Sequence, residues 1–171
     1  MVGRAVTVRT YPGDWSKPVQ AIDVAEPGDV IVIDAGGVGP ALWGELATHS
    51  AIQKGLAGVV IDGAIRDSDD IVNLKFPAFS KLVMPNAGEP KGFGEIGVPV
   101  TVANMKVEPG DWLLGDGDGV VVLPRAIAVE YANRAMDVLE KENRIREEIK
   151  EGSTLAKVTE LLRWEKQGGI G

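Results

Sequence analysis

VIVIDAGGVGPALWGEL, residues 30–46, carries the reading that decides the fold. Four apolar β-branched residues end on Asp34, glycines follow at 36, 37 and 39, and a helical pattern sets in at Ala41. A strand as apolar as DVIVID (29–34) is expected to be buried on both faces. The helical pattern runs from Ala41 to Lys54, and Gly55 is placed to cap it. Strand, glycine turn and helix in this order predict an α/β fold.

A glycine turn between strand and helix raises the question of a nucleotide. The dinucleotide fingerprint needs G-x-G-x-x-G, with an acidic residue about 20 positions on. Here Gly37-Val38-Gly39 is followed by Pro40-Ala41-Leu42, so the third glycine is missing. No Gly-Lys-Ser/Thr closes a Walker loop, and Asp34-Ala35-Gly36-Gly37 lacks the denser acidic-x-Gly-x-Gly pattern of an S-adenosylmethionine loop. What remains is a helix start with free backbone N–H groups, suited to a carboxylate or oxyanion.

Working outward, GRAVTVR (3–9) alternates and reads as a strand, and residues 17–26 as a short helix. GVVID (58–62) is a second buried strand, followed by a turn over Gly63–Asp67 and a short helix through Leu74, capped by Asp67 or Ser68. Strands are predicted over 78–83, 98–107, 111–115 and 119–123. MPNAGEPKGFGEIG (84–97), with four Gly and two Pro, is expected to be a loop. Apolar positions from Ile127 to Ile149 predict a helix within 125–150; about 24 residues at 1.5 Å each make it about 36 Å long. Its charged end is expected to extend past the core, toward solvent or another subunit. A last helix over 154–166 and a frayed GGIG tail complete a single domain, residues 1–171. EPGD occurs twice before an apolar strand, at 26–29 and 108–111; reuse of a good turn explains it.

Composition bounds the function. A chain of 171 residues with 44% apolar content and 25% charged residues is long enough for one well-packed soluble domain. Its net charge of −7 argues against binding to nucleic acid or an anionic membrane surface. With no cysteine, thiolate nucleophiles, disulfides and Cys-ligated metals are excluded. No apolar run approaches the roughly 20 residues of a membrane span, and MVGRAVTVRTYPGD lacks the apolar core of a secretory signal. A cytoplasmic location is expected.

The strongest chemical signal is VVIDGAIRDSDD, 59–70. Arg66 and Asp67 stand at the C-terminal end of a strand, where α/β sheets place ligands. Arg66 can grip a carboxylate in a bidentate fork. Asp67 can hold a hard cation such as Mg²⁺, which prefers oxygen ligands and keeps several waters. Structural roles compete with these: a surface ion pair for both residues, or a helix cap for Asp67.

GGVGPALWGEL, IDGAIRD, FPAFSK and PGDWLLGDGDGVVVLPR, in that order over roughly 3–148, resemble the RraA-like family. That family includes the regulator of ribonuclease activity A and 4-hydroxy-4-methyl-2-oxoglutarate aldolases with oxaloacetate decarboxylase activity. Its members usually carry a helical segment ahead of the strand that here reads GRAVTV. The resemblance implies a compact β/β/α sandwich resembling the phosphohistidine swivelling domain, assembled as homotrimers or hexamers with sites between subunits. By the same resemblance Asp67 binds the metal, Arg66 the substrate carboxylate, and Glu45 acts through metal-bound water. Gly44, Leu46 and Ala47 then contribute backbone to the substrate site. Glu45 stands where the aldolases commonly have Asp. Those enzymes also draw a carboxylate from a neighbouring subunit's C-terminal region, for which Glu140, Glu142, Glu147 and Glu148 are candidates.

The expected activity is a divalent-metal-dependent lyase acting on short 2-oxoacids. Decarboxylation of oxaloacetate and retro-aldol cleavage of 4-hydroxy-4-methyl-2-oxoglutarate both leave a pyruvate enolate, whose charge Mg²⁺ or Mn²⁺ absorbs. No lysine adjoins these motifs to suggest a Schiff base. The alternative is a non-catalytic, protein-binding regulator of a ribonuclease. Other features read as structural. His49, four residues after Glu45, is expected to be a structural histidine, and Asp116-Gly117-Asp118-Gly119 a hairpin turn lacking the ligands of a calcium loop. Trp43 is a candidate pocket wall; Trp15, Trp112 and Trp164 read as packing or interface.

Overall fold

The computed structural model describes residues 1–159. Residues 160–171, with Trp164, the GGIG tail and the end of the helix expected over 154–166, lie outside the described residues. The chain divides into two compact units, Met1–Ala126 and a second beginning at Ile127.

In the first unit, β1 (Val2–Arg9), β2 (Val30–Asp34), β3 (Gly58–Ile65) and β4 (Ala78–Val83) form a parallel array in the order β4-β3-β2-β1. The array continues from β1 through the antiparallel hairpin β8 (Trp112–Asp116) and β9 (Gly119–Leu123), and the two-residue β5 (Glu95–Ile96) also pairs with β1. Helices α1 (Ser16–Val24), α2 (Glu45–Lys54) and α3 (Ser68–Asn73) fill the crossovers between the parallel strands. A separate hairpin joins β6 (Val100–Val102) to β7 (Met105–Val107).

Both faces of the parallel strands are covered, so VIVI is fully buried, as its composition requires. Ile31, Ile33, Val59 and Ile61 pack on one face against Ile22, Ala51 and Ile71 of the helices. Val30, Val32 and Val60 pack on the other against Val100, Val102, Val107 and Leu113. The result is the β/β/α layering expected of this α/β chain.

Local departures from expectation have physical causes. Residues 41–44 are not helical: Ala41 bridges to Ala87 and Trp43 to Ile65, so α2 starts only at Glu45. Strand β3 runs three residues past Asp62, because a bulge lets Ala64 and Ile65 pair with Leu82 and Val83. The strand expected over 98–107 is folded in half. Ala103 and Asn104 both have positive φ, 47° and 65°, and form the turn of a tight hairpin. Gly55 caps α2 in the left-handed conformation, its N–H on the Ala51 and Ile52 carbonyls.

The two EPGD segments share one turn. Asp29 accepts from the Glu26 N–H at 3.0 Å and Asp111 from the Glu108 N–H at 2.9 Å, with Gly28 and Gly110 at φ 87° and 84°. Asp116–Gly119 is the hairpin turn between β8 and β9, with Asp116 accepting from the Asp118 N–H.

The second unit holds α4 (Ala128–Lys150), a 23-residue helix, and the start of α5 (Leu155–Val158). α4 has no buried residue. Ion pairs Glu130–Arg134, Glu140–Arg144 and Glu147–Lys150 line its surface.

Candidate active site

The parallel pairing of β2 with β3 brings the end of the glycine turn beside the end of β3. Gly44, Glu45, Arg66 and Asp67 meet there. Asp67 has φ 55°, a left-handed conformation that Asp tolerates better than most residues. It occupies the cap position of α3 without making the cap hydrogen bond. Its Oδ2 instead accepts the Glu45 N–H at 3.1 Å, at the start of α2. The sequence suggested a cap for Asp67; the cap exists, but on the other helix.

This closeness requires a glycine at 44. A Cβ there would stand 2.6 Å from Asp67 Oδ2 and 3.1 Å from Arg66 Cγ. Arg66 Nε lies 3.7 Å from Asp67 Oδ2, so the guanidinium and carboxylate share one open patch, 41% and 27% exposed. Thr48 closes the first turn of α2, its N–H and hydroxyl both donating to the Gly44 carbonyl. The N–H groups of Gly44, Leu46 and Ala47 donate to no acceptor among the described residues. Unpaired donors at a helix start beside an arginine have the chemistry that suits a carboxylate or oxyanion.

Two side chains behave differently from expectation. The Glu45 carboxylate turns along α2 and meets His49 Nε2 at 2.9 Å, so His49 is the partner of Glu45. Their i,i+4 spacing was visible in the sequence. Trp43 is no pocket wall: it is buried, with its indole N–H donating to Thr48 Oγ1 at 2.9 Å. It anchors the turn from beneath.

Asp67 fits a hard cation as a single-carboxylate anchor, since only its Oδ2 is occupied by a backbone donor. Among the described residues no three His, Asp or Glu side chains are grouped to hold a metal ion. Mg²⁺ suits this arrangement, because it commonly takes one or two carboxylates and completes its shell with water and substrate oxygens. Glu140, Glu142, Glu147 and Glu148 lie along α4.

A profile of the RraA-like family (Aldolase/RraA) matches residues 1–122, all of it in the first unit and ending within β9. The chain belongs to the RraA-like family. An uncharacterised protein of Methanocaldococcus jannaschii is 42% identical over 161 residues, 93% of this chain and 77% of that one. A Thermus thermophilus relative named 4-hydroxy-4-methyl-2-oxoglutarate aldolase is 33% identical, over 71% of this chain and 74% of its own. The solved structure of the RNA-processing inhibitor RraA from the same organism matches with a TM-score of 0.68 and 33% identity, covering 72% of this chain and 75% of that one. Gly44–Ala47 and Arg66–Asp67 all fall inside the span that the RraA-like profile matches.

Proposed function

We propose that this RraA-like protein is a divalent-metal-dependent carbon–carbon lyase acting on short 2-oxoacids. The supporting observation is the convergence of Arg66, Asp67 and the unpaired N–H groups of Leu46 and Ala47 on one open patch. Oxaloacetate is the first substrate, and 4-hydroxy-4-methyl-2-oxoglutarate the second. Arg66 grips the substrate carboxylate, and its charge favours the electron-rich transition state. Leu46 and Ala47 hold the substrate's oxygens from the positive end of α2. Bound at Asp67, Mg²⁺ or Mn²⁺ supplies Lewis-acid stabilisation of the charge that develops on the 2-oxo group. Glu45, steadied by His49, orients the water that takes the proton of the 4-hydroxyl in the aldol reaction. Decarboxylation needs no such base. Assembly as a homotrimer or hexamer, with Glu140, Glu142, Glu147 or Glu148 of a neighbouring copy completing the patch, belongs to the same proposal.

The test is pyruvate release from oxaloacetate with Mg²⁺, Mn²⁺ and Co²⁺. Asp67→Ala and Arg66→Ala are each expected to lower kcat/KM about 10²–10³-fold, the scale of losing one transition-state contact. Unchanged turnover in both variants refutes the site. A non-catalytic regulator of a ribonuclease is the second reading, supported by the likeness to the RNA-processing inhibitor structure. Absence of wild-type turnover with all three metals on both substrates favours it.

A further inference from the structure

The helices of the first unit leave part of the sheet bare. On the face they cover, Val8, Ile31 and Ile61 pack with Ile22, Ala51 and Ile71, and no residue of β8 or β9 joins that cluster. Side chains alternate along a strand, so Val2 and Arg4 share the face of Val8. Strand pairing carries this face from Val2 and Arg4 to Leu114 and Trp112 of β8, then to Val121 and Leu123 of β9. Ala5 and Leu113, which point the other way, are buried in the opposite cluster. An antiparallel hairpin with one face in water normally alternates apolar with polar residues. Here the outward residues are apolar too, and Val2, Trp112, Leu114 and Val121 are all exposed, Val121 by 58%. A contiguous apolar face of this kind marks a contact with another protein surface.

The exposed charges at its two ends have opposite sign. Asp116 and Asp118 stand at the β8–β9 turn, beyond Leu114 and Val121. Arg4, opposite Trp112, and Arg125, whose guanidinium lies beside Gly110, stand at the other end. Arg4 pairs with Asp29 at 3.2 Å and is still 55% exposed.

We propose that this face is a two-fold contact between copies of the chain. Each copy lays β1, β8 and β9 over the same three strands of the other, running in the opposite direction. Leu114 and Val121 then lie at the centre, and Asp116 and Asp118 meet Arg4 and Arg125 of the partner subunit. Turning the axis along the strands would instead stack acidic turn on acidic turn, which like charges disfavour. The face is thus self-complementary in both shape and charge, as a closed two-fold contact requires. Being two-fold, the contact doubles any other assembly of the chain and does not rest on the lyase reading.

Sedimentation of the full chain at micromolar concentration, with cross-linking, tests this. Wild type is expected to contain an even number of copies. Leu114→Glu and Val121→Glu, both at exposed positions, are each expected to halve that number. Asp116→Arg alone and Arg125→Glu alone are expected to raise the dissociation constant at least about tenfold, and the two together to restore it. Leu114→Cys, in a chain with no cysteine of its own, is expected to join two copies through a short bis-maleimide, because the axis passes beside it. Four results each overturn the proposal: an odd number of copies in wild type, a wild-type mass in both glutamate variants, no recovery in the charge-reversed pair, or no cross-link from Leu114→Cys.

Discussion

Asp14 and Asp67 are both aspartates that accept backbone N–H groups, yet their surroundings give them opposite work. Asp14, only 2% exposed, takes the Ser16 and Lys91 N–H groups on Oδ1 and the Phe93 N–H on Oδ2. Burial alone would raise its pKa, but the hydrogen bonds from Ser16, Phe93 and Lys91 outweigh it and lower the carboxyl from 3.8 to about 2. Asp67 takes a single backbone N–H and is 27% exposed. A carboxylate saturated by donors fastens the loop 84–97 to the turn before α1; one left half-open beside an arginine can take a ligand. Coordination by the backbone, more than residue type, separates an aspartate fully used by the fold from one with an oxygen left for the proposed chemistry.

The largest expected effect that sharpens this contrast is on stability. Asp14→Ala leaves three backbone N–H donors without their acceptor at once and is expected to cost about 2–3 kcal/mol in urea unfolding at neutral pH. Because the folded-state pKa is depressed, this contribution is complete above the unfolded value of 3.8 and is lost as pH falls toward about 2. The gap between wild type and Asp14→Ala should therefore close as unfolding is repeated from neutral pH down to about 2. Asp67→Ala is expected to shift stability far less while removing activity. A gap that persists in acid breaks the comparison on the Asp14 side.

A smaller effect concerns the glycine that lets Asp67 approach. Gly44→Ala places a methyl against Asp67 Oδ2 and is expected to reduce oxaloacetate turnover about tenfold, with the loss mainly in kcat. The smallest effect concerns His49. Its exposed i,i+4 pair with Glu45 contributes about 0.3–0.5 kcal/mol, so His49→Ala should leave thermal unfolding nearly unchanged. Turnover of 4-hydroxy-4-methyl-2-oxoglutarate is expected to fall in His49→Ala and to recover in His49→Gln, which retains a donor for Glu45. Oxaloacetate turnover, which needs no base, is expected to hold.

Much of this was legible from residue patterns. VIVID and GVVID announce strands buried on both faces, because only such burial accommodates uninterrupted β-branched residues. The pairing of Glu45 with Arg66-Asp67 was implied by the resemblance to the RraA-like family; the parallel strands bring the Glu45 N–H to Asp67, while the Glu45 carboxylate meets His49. Other features were hidden in the pattern. PALW (40–43) has helical spacing but extends along neighbouring backbone at Ala87 and Ile65, and these partners are distant in sequence. VPVTVANMKV (98–107) reads as one strand, because Asn104 alone is a weak turn signal beside Ala103.

The sequence by itself determined the α/β elements through local periodicity and the family through short motifs, and the resemblance to that family in turn implied the layering and the Glu45, Arg66 and Asp67 set. Only the tertiary structure decided which helix Asp67 caps, that Trp43 faces the core, and that Glu45 turns to His49. Each of these turns on a few ångströms between residues far apart in the chain. Hydrogen bonds act at that range, and residue spacing does not encode it.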